Sequence, residues 1–463
     1  MQYVSTRGEA PELGFEDVLL TGLARDGGLY IPLSWPQFSA GELRGLRGTS
    51  YQHIAFEVMA KFTGNAIPHA ELKQMIAEAY GVFGHPAITP LKQLDANQWL
   101  LELFHGPTLA FKDVAMQMLS RLMDWSLKRS GNHATIICAT SGDTGAAAAG
   151  AFNHSKNATT IILHPQGRVS DIQRRQMTTV KSHAIHNIAI EGNFDDCQTI
   201  VKALFNDIGF RDKVNLAGVN SINWARIMAQ IVYYVSSAVA LGAPDRKVSF
   251  SVPTGNFGDI FAGLVAKRMG VPIDRLVVAT NVNDILDRAL KTGRYEIHGV
   301  QPSMSPSMDI QISSNFERLL FMAYDKNAAA VRSLMSGLAQ SGSFTIAARE
   351  LAAIRHEFDS FAVNEAETAQ MIAQTLAQSG ELLDPHTAVG YAAARRAKAT
   401  ECPMITLATA HPAKFPDAVE KASGIKPHLP SRLLHLLKAE ERFTILPNSV
   451  AAVRDFILAR NKT

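Results

Sequence analysis

Cysteine is scarce in this chain, which has three among its 463 residues. Cys138, Cys197 and Cys402 lie far apart and form no CxxC pair. This pattern is typical of reduced thiols in a reducing compartment, and it argues against a disulfide framework or a structural zinc ion. We therefore expect no bound metal and a cytoplasmic location.

An excess of charge of either sign is also absent. Lys and Arg total 45 against 42 Asp and Glu, so the formal net charge is +3. Nucleic acids and anionic membranes attract clustered positive charge, and no long run of Lys and Arg occurs in the sequence. The sequence thus predicts neither nucleic acid nor a membrane as a partner.

Long apolar runs are missing as well. A membrane-spanning helix needs roughly 18–20 apolar residues, and the longest candidate, residues 227–241, is interrupted by Gln230, Ser236 and Ser237. The opening segment, MQYVSTRGEAPELGF, lacks the basic stretch and the apolar run of a secretory signal. Both absences favour the cytoplasm.

The hydrophobic period divides the chain into two regions. At about 100–200 residues per domain, the length predicts two to four domains. Helical spacing over residues 40–46, 51–63 and 70–80 predicts a first region of helices and loops. From Gln98 onward, short β-branched runs alternate with amphipathic segments, which predicts a parallel sheet covered by helices on both faces.

The alternating region predicts strands over residues 134–140, 159–164, 185–190, 215–219, 247–253, 275–280 and 404–408. It predicts helices over residues 114–128, 145–152, 194–206, 224–241, 257–269 and 388–399. Residues 299–315 have no period and contain repeated Ser-Met steps. A long loop inside a compact domain is usually functional or disordered, and we place this one near the site.

The loops that follow the strands are the candidate sites, because open α/β sheets bind ligands outside the carboxyl ends of their strands. The first, HGPTLAFKD at residues 105–113, contains Lys112 beside the apolar Ala110 and Phe111. An apolar wall and the start of a helix both lower the pKa of a lysine, and only a neutral amine attacks a carbonyl. Lys112 is therefore a candidate Schiff-base lysine, and a solvated lysine in a first helical turn is the alternative.

Two further loops are rich in glycine and run from a strand into a helix. TSGDTG at residues 140–145 and PTGNFGD at residues 253–259 can each form a nest of backbone N–H groups that binds an anion. Gly255 and Gly258 bracket the second turn, and no Lys-Ser or Lys-Thr pair follows, so a small phosphate fits better than a nucleotide. A plain turn is the alternative for both.

Two weaker patterns complete the inventory of loops. In TAHPAKF at residues 409–415, the hydroxyl of Thr409 could bond a ring nitrogen, whereas His411 suits a capping or packing role. Asp143, with the Thr-Gly that follows it, also matches the motif of acid proteases. Acid proteases are all-β folds with two such motifs, whereas this motif lies between a strand and a helix and occurs once. We therefore discount the match.

The quoted strings resemble the threonine synthases of the long bacterial and fungal type. The resemblance covers nearly the whole chain and is carried in order by YVSTRG, DGGLYIP, HGPTLAFKD, ATSGDTG, NSINWARIMAQIVY, PTGNFGD and TAHPAKF. It implies a tryptophan-synthase-β-like α/β fold, with parallel-type sheets covered by helices in two subdomains and a mainly helical N-terminal extension. The implied domains are residues 1–92, residues 93–430 with a smaller subdomain over roughly residues 113–220, and a C-terminal helical cap at residues 431–463.

The resemblance also implies an activity. Members of the family are pyridoxal 5′-phosphate-dependent lyases that convert O-phospho-L-homoserine and water into L-threonine and phosphate. A small-molecule substrate, this cofactor and a monomer or homodimer are therefore expected. The implied cofactor-binding residues are Lys112, Phe111, Gly255, Asn256, Phe257, Gly258, Asp259 and Thr409, with Lys112 also catalytic.

The implied substrate-binding residues are Thr140, Ser141, Asp143, Thr144, Asn220, Ser221 and Arg226. Related enzymes carry Asn at the position of Asp143, so the contact to the 3′-oxygen of the cofactor stays open. Two phosphates and a carboxylate require at least three anion sites. The two glycine loops supply two, and Arg226 is the candidate for the substrate phosphate, ahead of Arg174 and Lys181.

Lys112 would then remove the α-proton, phosphate would leave from Cγ, and water would add at Cβ. Two alternative functions remain. One is another enzyme of the same fold, such as a serine or threonine dehydratase or a cysteine synthase, against which the STRG, DGGLY and TAHPAKF strings argue. The other is a non-catalytic threonine-synthase-like binding protein, against which Lys112 and both glycine loops argue.

Overall fold

The computed structural model describes residues 1–397 and 401–460. Their strands are β1 (Tyr3–Ser5), β2 (Tyr30–Pro32), β3 (Leu91–Gln93), β4 (Gln98–Glu102), β5 (Ala134–Ala139), β6 (Ala158–Pro165), β7 (Ile185–Glu191), β8 (Leu216–Ala217), β9 (Val248–Pro253), β10 (Ile273–Thr280), β11 (Arg294–Glu296), β12 (Ser343–Thr345), β13 (Phe358–Ala362), β14 (Met404–Ala408) and β15 (Thr444–Pro447).

The α-helices are α1 (Phe15–Thr21), α2 (Ala40–Gly45), α3 (Tyr51–Thr63), α4 (His69–Tyr80), α5 (Lys112–Ser130), α6 (Asp143–Phe152), α7 (Asp171–Thr178), α8 (Phe194–Asn206), α9 (Ile208–Lys213), α10 (Trp224–Ala240), α11 (Gly258–Arg268), α12 (Ile285–Thr292), α13 (Phe316–Ala323), α14 (Ala328–Ser341), α15 (Ala348–Glu357), α16 (Glu365–Ser379), α17 (Pro385–Arg396), α18 (Pro416–Ser423) and α19 (Val450–Arg460). Short 3-10 helices cover Pro306–Met308, Pro412–Lys414 and Ser431–Leu437.

Two largely parallel sheets form the centre of the described chain. The larger has six strands in the order β13-β10-β9-β14-β4-β3, with only the β3–β4 pair antiparallel. The smaller has five parallel strands in the order β15-β7-β6-β5-β8. Every residue of β9 is buried, because helices cover both faces of the sheet. The predicted α/β class is confirmed.

Two helix starts differ from the prediction in a way that matters for the site. The helix predicted from residue 114 begins at Lys112, and the helix predicted from residue 145 begins at Asp143. Both side chains therefore stand in the first turn of a helix. The helix predicted over residues 388–399 is α17, and predicted residues 398 and 399 lie outside the described residues.

The N-terminal region packs on the two sheets and their helices through α3, which lies against α10. Ser50 caps α3 by accepting a hydrogen bond from the backbone N–H of His53, which satisfies a donor that the helix leaves free. The rings of Tyr3 and Phe62 contact the indole of Trp224 in α10. The region is mainly helical, as expected, with the short β1–β2 pair added.

The C-terminal segment, which is predicted as a helical cap, also contains a strand. β15 pairs in parallel with β7, with Thr444 opposite Ile188, and so forms the edge of the smaller sheet. The predicted cap at residues 431–463 thus contains this strand beside the 3-10 helix Ser431–Leu437 and α19, and its boundary at residue 430 stays a prediction. Residues 461–463 of the predicted cap lie outside the described residues.

Candidate active site

The predicted loops lie together at the carboxyl ends of neighbouring strands. In the larger sheet β9, β14 and β4 are adjacent and parallel, so the loops that follow them share one edge. The loop after β5 of the smaller sheet reaches the same place, because Lys112 Nζ lies 3.2 Å from Asp143 Oδ2. The two sheets thus contribute to one site.

Lys112 is buried in the first turn of α5. The backbone N–H of Phe111 donates to the carbonyl of Thr409 at 2.8 Å, which ties the start of the helix to the end of β14. Lys112 Nζ also lies 3.3 Å from Ser307 Oγ. Burial lowers the pKa of Lys112 below its ordinary value, the charges of Lys414 and Arg226 lower it too, and Asp143 acts in the opposite direction.

Asp143 is the hub of the site. Its Oδ1 accepts from Lys414 Nζ at 2.7 Å and from Gln173 Nε2 at 2.9 Å. Its Oδ2 accepts from Lys112 and from Ser307 Oγ, the latter at 3.1 Å. Burial alone would raise the pKa of Asp143, but Lys112 and Lys414 hold it well below its usual value. The carboxylate is therefore ionised at neutral pH.

Three residues of this hub were missed at the level of sequence. Lys414 lies within the quoted string TAHPAKF, so its position one turn beyond β14 was the available signal. Ser307 comes from the loop at residues 299–315, which the sequence predicts near the site without indicating which of its residues enters it. Gln173 gave no signal, since it meets Asp143 only through the packing of α7 on α6.

The turn at residues 140–145 is built around one hydroxyl. Thr140 Oγ1 accepts from the backbone N–H groups of Gly142 and Gly145, both at 2.9 Å. Gly142 has φ 144°, and a Cβ there would meet Gln173 at 2.4 Å, so only glycine fits. Ser141 is exposed and Thr144 half-buried, which leaves their hydroxyls on the open side of the turn.

The turn at residues 253–259 is held from outside by the loop at residues 299–315. Ser313 Oγ donates to the carbonyl of Gly255 at 2.7 Å, and the backbone N–H of Asn315 donates to the carbonyl of Asn256 at 3.0 Å. Phe257 precedes α11 with φ 61°, and Gly258 begins that helix. The first N–H groups of α11 are thus presented at its positive end, which is an anion site. The predicted position of the long loop is confirmed.

The side chain of Asp259 lies elsewhere. Its carboxylate accepts hydrogen bonds from the hydroxyls of Tyr233 and Tyr234 in α10, the latter at 3.0 Å. Burial raises the pKa of Asp259 to about 7, against the lowering effect of the two hydroxyls. Its position in the first turn of α11 turns this side chain toward α10, and the assignment of Asp259 to the cofactor stays a prediction.

Arg226 is buried near Lys112, in the first turn of α10. Its Nη1 donates to the carbonyl of Val219 at 2.9 Å, while its Nε has no hydrogen-bond partner. Burial lowers the pKa of Arg226 to about 10, so the guanidinium stays charged at neutral pH. A buried cation with an unused donor fits an anionic ligand. Asn220 is exposed and Ser221 half-buried beside this helix start.

The other candidates differ from Arg226. Arg174 is engaged by Glu441 at 2.8 Å and by Asp171 at 2.7 Å, so its charge already has partners. Lys181 is exposed. His411 Nδ1 accepts from the backbone N–H of Ala413, and burial lowers the pKa of His411 to about 4. It is a neutral capping residue, as the sequence favoured.

Among the described residues, no group of three or more His, Cys, Asp and Glu side chains could hold a metal ion. Nor does any helix among them have both the length and the apolar content needed to cross a membrane. The residues that are present fit pyridoxal phosphate: a buried lysine with a lowered pKa, a glycine turn at a helix start, and an unpartnered guanidinium nitrogen.

Comparisons with known proteins point the same way. The family model described as "Threonine synthase N terminus" matches residues 2–80, "Pyridoxal-phosphate dependent enzyme" matches residues 82–405, and "Threonine synthase, C-terminal" matches residues 387–457. The threonine synthase of Pseudomonas aeruginosa is 54% identical over 459 residues, which are 99% of this chain and 98% of that protein.

Two solved structures resemble the whole chain. The pyridoxal-phosphate-bound threonine synthase from Brucella melitensis has a TM-score of 0.98 and 58% identity, and the match covers 100% of both chains. Threonine synthase from yeast has a TM-score of 0.95 and 40% identity over 99% of this chain and 98% of that one. With the fold and the lysine site described above, these matches show that the chain belongs to the threonine synthase family of pyridoxal-phosphate-dependent enzymes.

Proposed function

We propose that this enzyme converts O-phospho-L-homoserine and water into L-threonine and phosphate, with Lys112 as the residue that holds pyridoxal phosphate and moves the α-proton. The observation that carries the proposal is the setting of the Lys112 amine. It is buried, its pKa is lowered, and it contacts both Asp143 of one glycine turn and Ser307, whose backbone borders Gly255 of the other turn. A neutral amine in that position can attack an aldehyde.

The residues proposed to hold the cofactor lie on three strand ends. Lys112 takes the aldehyde, and the turn at residues 255–258 takes the phosphate on the first N–H groups of α11. The hydroxyl of Thr409, at the end of β14, is offered to the ring nitrogen. When bound, pyridoxal phosphate supplies an electron sink for negative charge that develops on the amino-acid substrate.

The substrate is proposed to use the two remaining anion sites. The turn at residues 140–145 opens onto the first turn of α6, where N–H groups and the hydroxyls of Ser141 and Thr144 suit a carboxylate. Arg226 suits the phosphate, because its charge is buried without a carboxylate partner and its Nε is unused. Asn220 and Ser221 flank that position.

Proton transfer falls to the Lys112 amine. Its Nζ is within hydrogen-bond distance of Asp143 and Ser307, so a proton taken from the substrate α-carbon has acceptors that hold the resulting ammonium. After the phosphate leaves, the same amine can return a proton at the substrate Cγ before water adds at Cβ. Burial of the site keeps bulk water from competing at the earlier steps.

The activity is tested by incubating the purified protein with O-phospho-L-homoserine and measuring phosphate release, with threonine identified by chromatography. Lys112→Ala should retain the fold but release no phosphate, and a reductant should no longer fix pyridoxal phosphate to position 112. Lys128→Ala, an exposed lysine on the same helix, is the matched control. Serine turnover without phosphate release from phosphohomoserine would instead make the chain a dehydratase.

The role of Arg226 has its own test. Arg226→Ala should raise the KM for O-phospho-L-homoserine far more than it weakens binding of a homoserine analogue without the phosphate. Arg174→Ala, which removes a guanidinium already paired with Glu441, serves as the comparison. Equal loss for both ligands would remove Arg226 from the phosphate site.

The domain boundaries at residues 92 and 430, a cytoplasmic location and a monomer or homodimer also remain our proposals. The scarcity of cysteine supports a cytoplasmic location, because thiols stay reduced in the cytoplasm. Light scattering of the purified protein decides the oligomeric state, and a fluorescent fusion in the source cell decides the location.

A further inference from the structure

Lys414 is a second buried lysine at the active site, and the reaction described above gives it no task. Its side chain has 0% exposure. The 3-10 helix Pro412–Lys414, directly beyond β14, aims it at Asp143. Its Nζ donates to Asp143 Oδ1 and to the carbonyl of Thr108, both at 2.7 Å. Burial and two such partners hold this side chain in one position.

The charges around Lys112 do not balance if every group is ionised. The positive groups that face it are Lys414 and Arg226, and the negative group is Asp143. Asp113, the next residue, is bound by the backbone N–H and the hydroxyl of Thr108, both at 2.7 Å, and burial raises its pKa. Asp143 is thus the carboxylate that both lysines contact directly, and an unpaired buried charge is costly.

Geometry decides which lysine gives up its proton. Lys414 has two strong acceptors, a carboxylate and a carbonyl, at 2.7 Å. Lys112 lies farther from Asp143, at 3.2 Å, and its other partner is the hydroxyl of Ser307, which can donate as well as accept. Loss of a proton from Lys414 would weaken two short charge-assisted contacts, whereas loss of a proton from Lys112 weakens one longer contact to the carboxylate.

We propose that Lys414 is a positioning residue, the permanent counter-ion of Asp143, and that it thereby keeps the Lys112 amine neutral for attack on the cofactor aldehyde. The inference rests on the proposed role of Lys112. In the step concerned, the nitrogen lone pair of Lys112 forms the C–N bond. The carbonyl oxygen leaves as water with the two hydrogens of the amine, and a C=N bond remains.

The test measures how fast Lys112 condenses with the aldehyde as a function of pH. Full-length protein is freed of cofactor, mixed with pyridoxal phosphate and followed by absorbance, and the attachment site is confirmed by borohydride reduction and mass spectrometry. In Lys414→Gln, Asp143 has only Lys112 as a cationic partner. The rate at pH 7 should fall on the order of tenfold or more, and the midpoint of the pH profile should rise by about one unit or more.

Three controls separate this role from a merely structural one. Lys414→Arg keeps the charge and should keep the midpoint of the parent. The double variant Lys414→Gln with Asp143→Asn removes both charges and should return the midpoint to the parent value or below it. Pyridoxine phosphate, which has no aldehyde, should bind Lys414→Gln as tightly as it binds the parent. Lys414→Met replaces Lys414→Gln if the latter does not fold.

The outcomes are distinct. An unchanged midpoint in Lys414→Gln overturns the inference, and so does a rate loss accompanied by an equal loss of pyridoxine phosphate binding, since that reports a damaged pocket. If the parent itself attaches pyridoxal phosphate at a lysine other than Lys112, the proposed function fails before the inference is reached. A raised midpoint that the double variant reverses supports it.

Discussion

The carboxyl of Asp259 predicts an unusual dependence of stability on pH. It is buried between α10 and α11, where Tyr233 and Tyr234 donate to one of its oxygens and the other has no partner. Burial raises its pKa from 3.8 to about 7. The difference of about 3 units, at about 1.4 kcal/mol per unit, corresponds to about 4 kcal/mol of unfolding free energy.

The sign of this pH dependence follows from whether the folded or the unfolded chain binds the proton. Below about pH 4 the group is protonated in both the folded and the unfolded chain. Between about pH 4 and pH 7 the folded protein keeps the proton while the unfolded chain releases it, so the free energy of unfolding falls as pH rises. Above about pH 7 the folded carboxyl is ionised too, and the loss is complete.

Asp259→Asn removes this titration. The variant carries a fixed cost, because its amide nitrogen takes the place of the oxygen without a partner. Its free energy of unfolding relative to the parent should nevertheless rise by about 4 kcal/mol between pH 4 and pH 8. Urea unfolding followed by tryptophan fluorescence measures this, since Trp224 is buried at the start of α10.

Asp245→Asn is the control: hydrogen bonds from Arg44 and Arg47 lower the pKa of that exposed carboxyl to about 2, so it titrates below about pH 4 and its difference from the parent should stay nearly flat from pH 4 to pH 8. A flat difference between Asp259→Asn and the parent from pH 4 to pH 8 would refute the reasoning. Uptake of pyridoxal phosphate by Asp259→Asn should match the parent. A large loss of uptake would instead return Asp259 to the cofactor site.

Other predictions follow from single contacts. Gly145→Ala should destabilise the protein by about 1–3 kcal/mol and raise the KM, because a Cβ at that position meets Thr140 Cγ2 at 2.4 Å. Thermal unfolding measures the loss of stability, and steady-state kinetics measure the KM. A variant with unchanged stability and KM would contradict this packing. Asp384→Asn should lower kcat, because Asp384 fixes the ring of His386 by a bond of 2.8 Å to Nδ1, and the other ring nitrogen supports the loop above the site. An unchanged kcat would show that the loop at residues 299–315 keeps its position without the contact to His386. Glu441→Gln should release the C-terminal segment from α7 at a cost of about 1 kcal/mol, seen as faster hydrogen exchange in β15, whereas unchanged exchange would show that strand pairing suffices.

The elements that sequence predicted well are those whose signal is local. Tyr51–Thr63 and Phe194–Asn206 have a full amphipathic period and a polar cap, and both are helices with those ends. The glycine turns could be found because only glycine tolerates the φ of Gly142 or a close contact such as that of Gly255 with Ser307.

The elements that were missed depend on contacts distant in sequence. Ser307 reads as one serine in a loop without period, and only the folded chain brings it to Lys112, 195 positions away. The position of Lys414 just beyond β14 places it near the site, but only the folded chain shows that its partner is Asp143. Asp259 was assigned from its place beside a glycine turn, whereas the direction of its side chain depends on where α10 packs.

The pairing of β15 with β7 constrains how the molecule is made. The smaller sheet takes four strands from residues 134–217 and its last from Thr444–Pro447, after the chain has crossed to complete the larger sheet. During synthesis on the ribosome, one edge of β7 therefore stays unpaired until β15 is made, which is after more than half of the chain has followed β7. Such an edge invites pairing with another nascent chain, so late synthesis is the stage at which this protein is most exposed to aggregation.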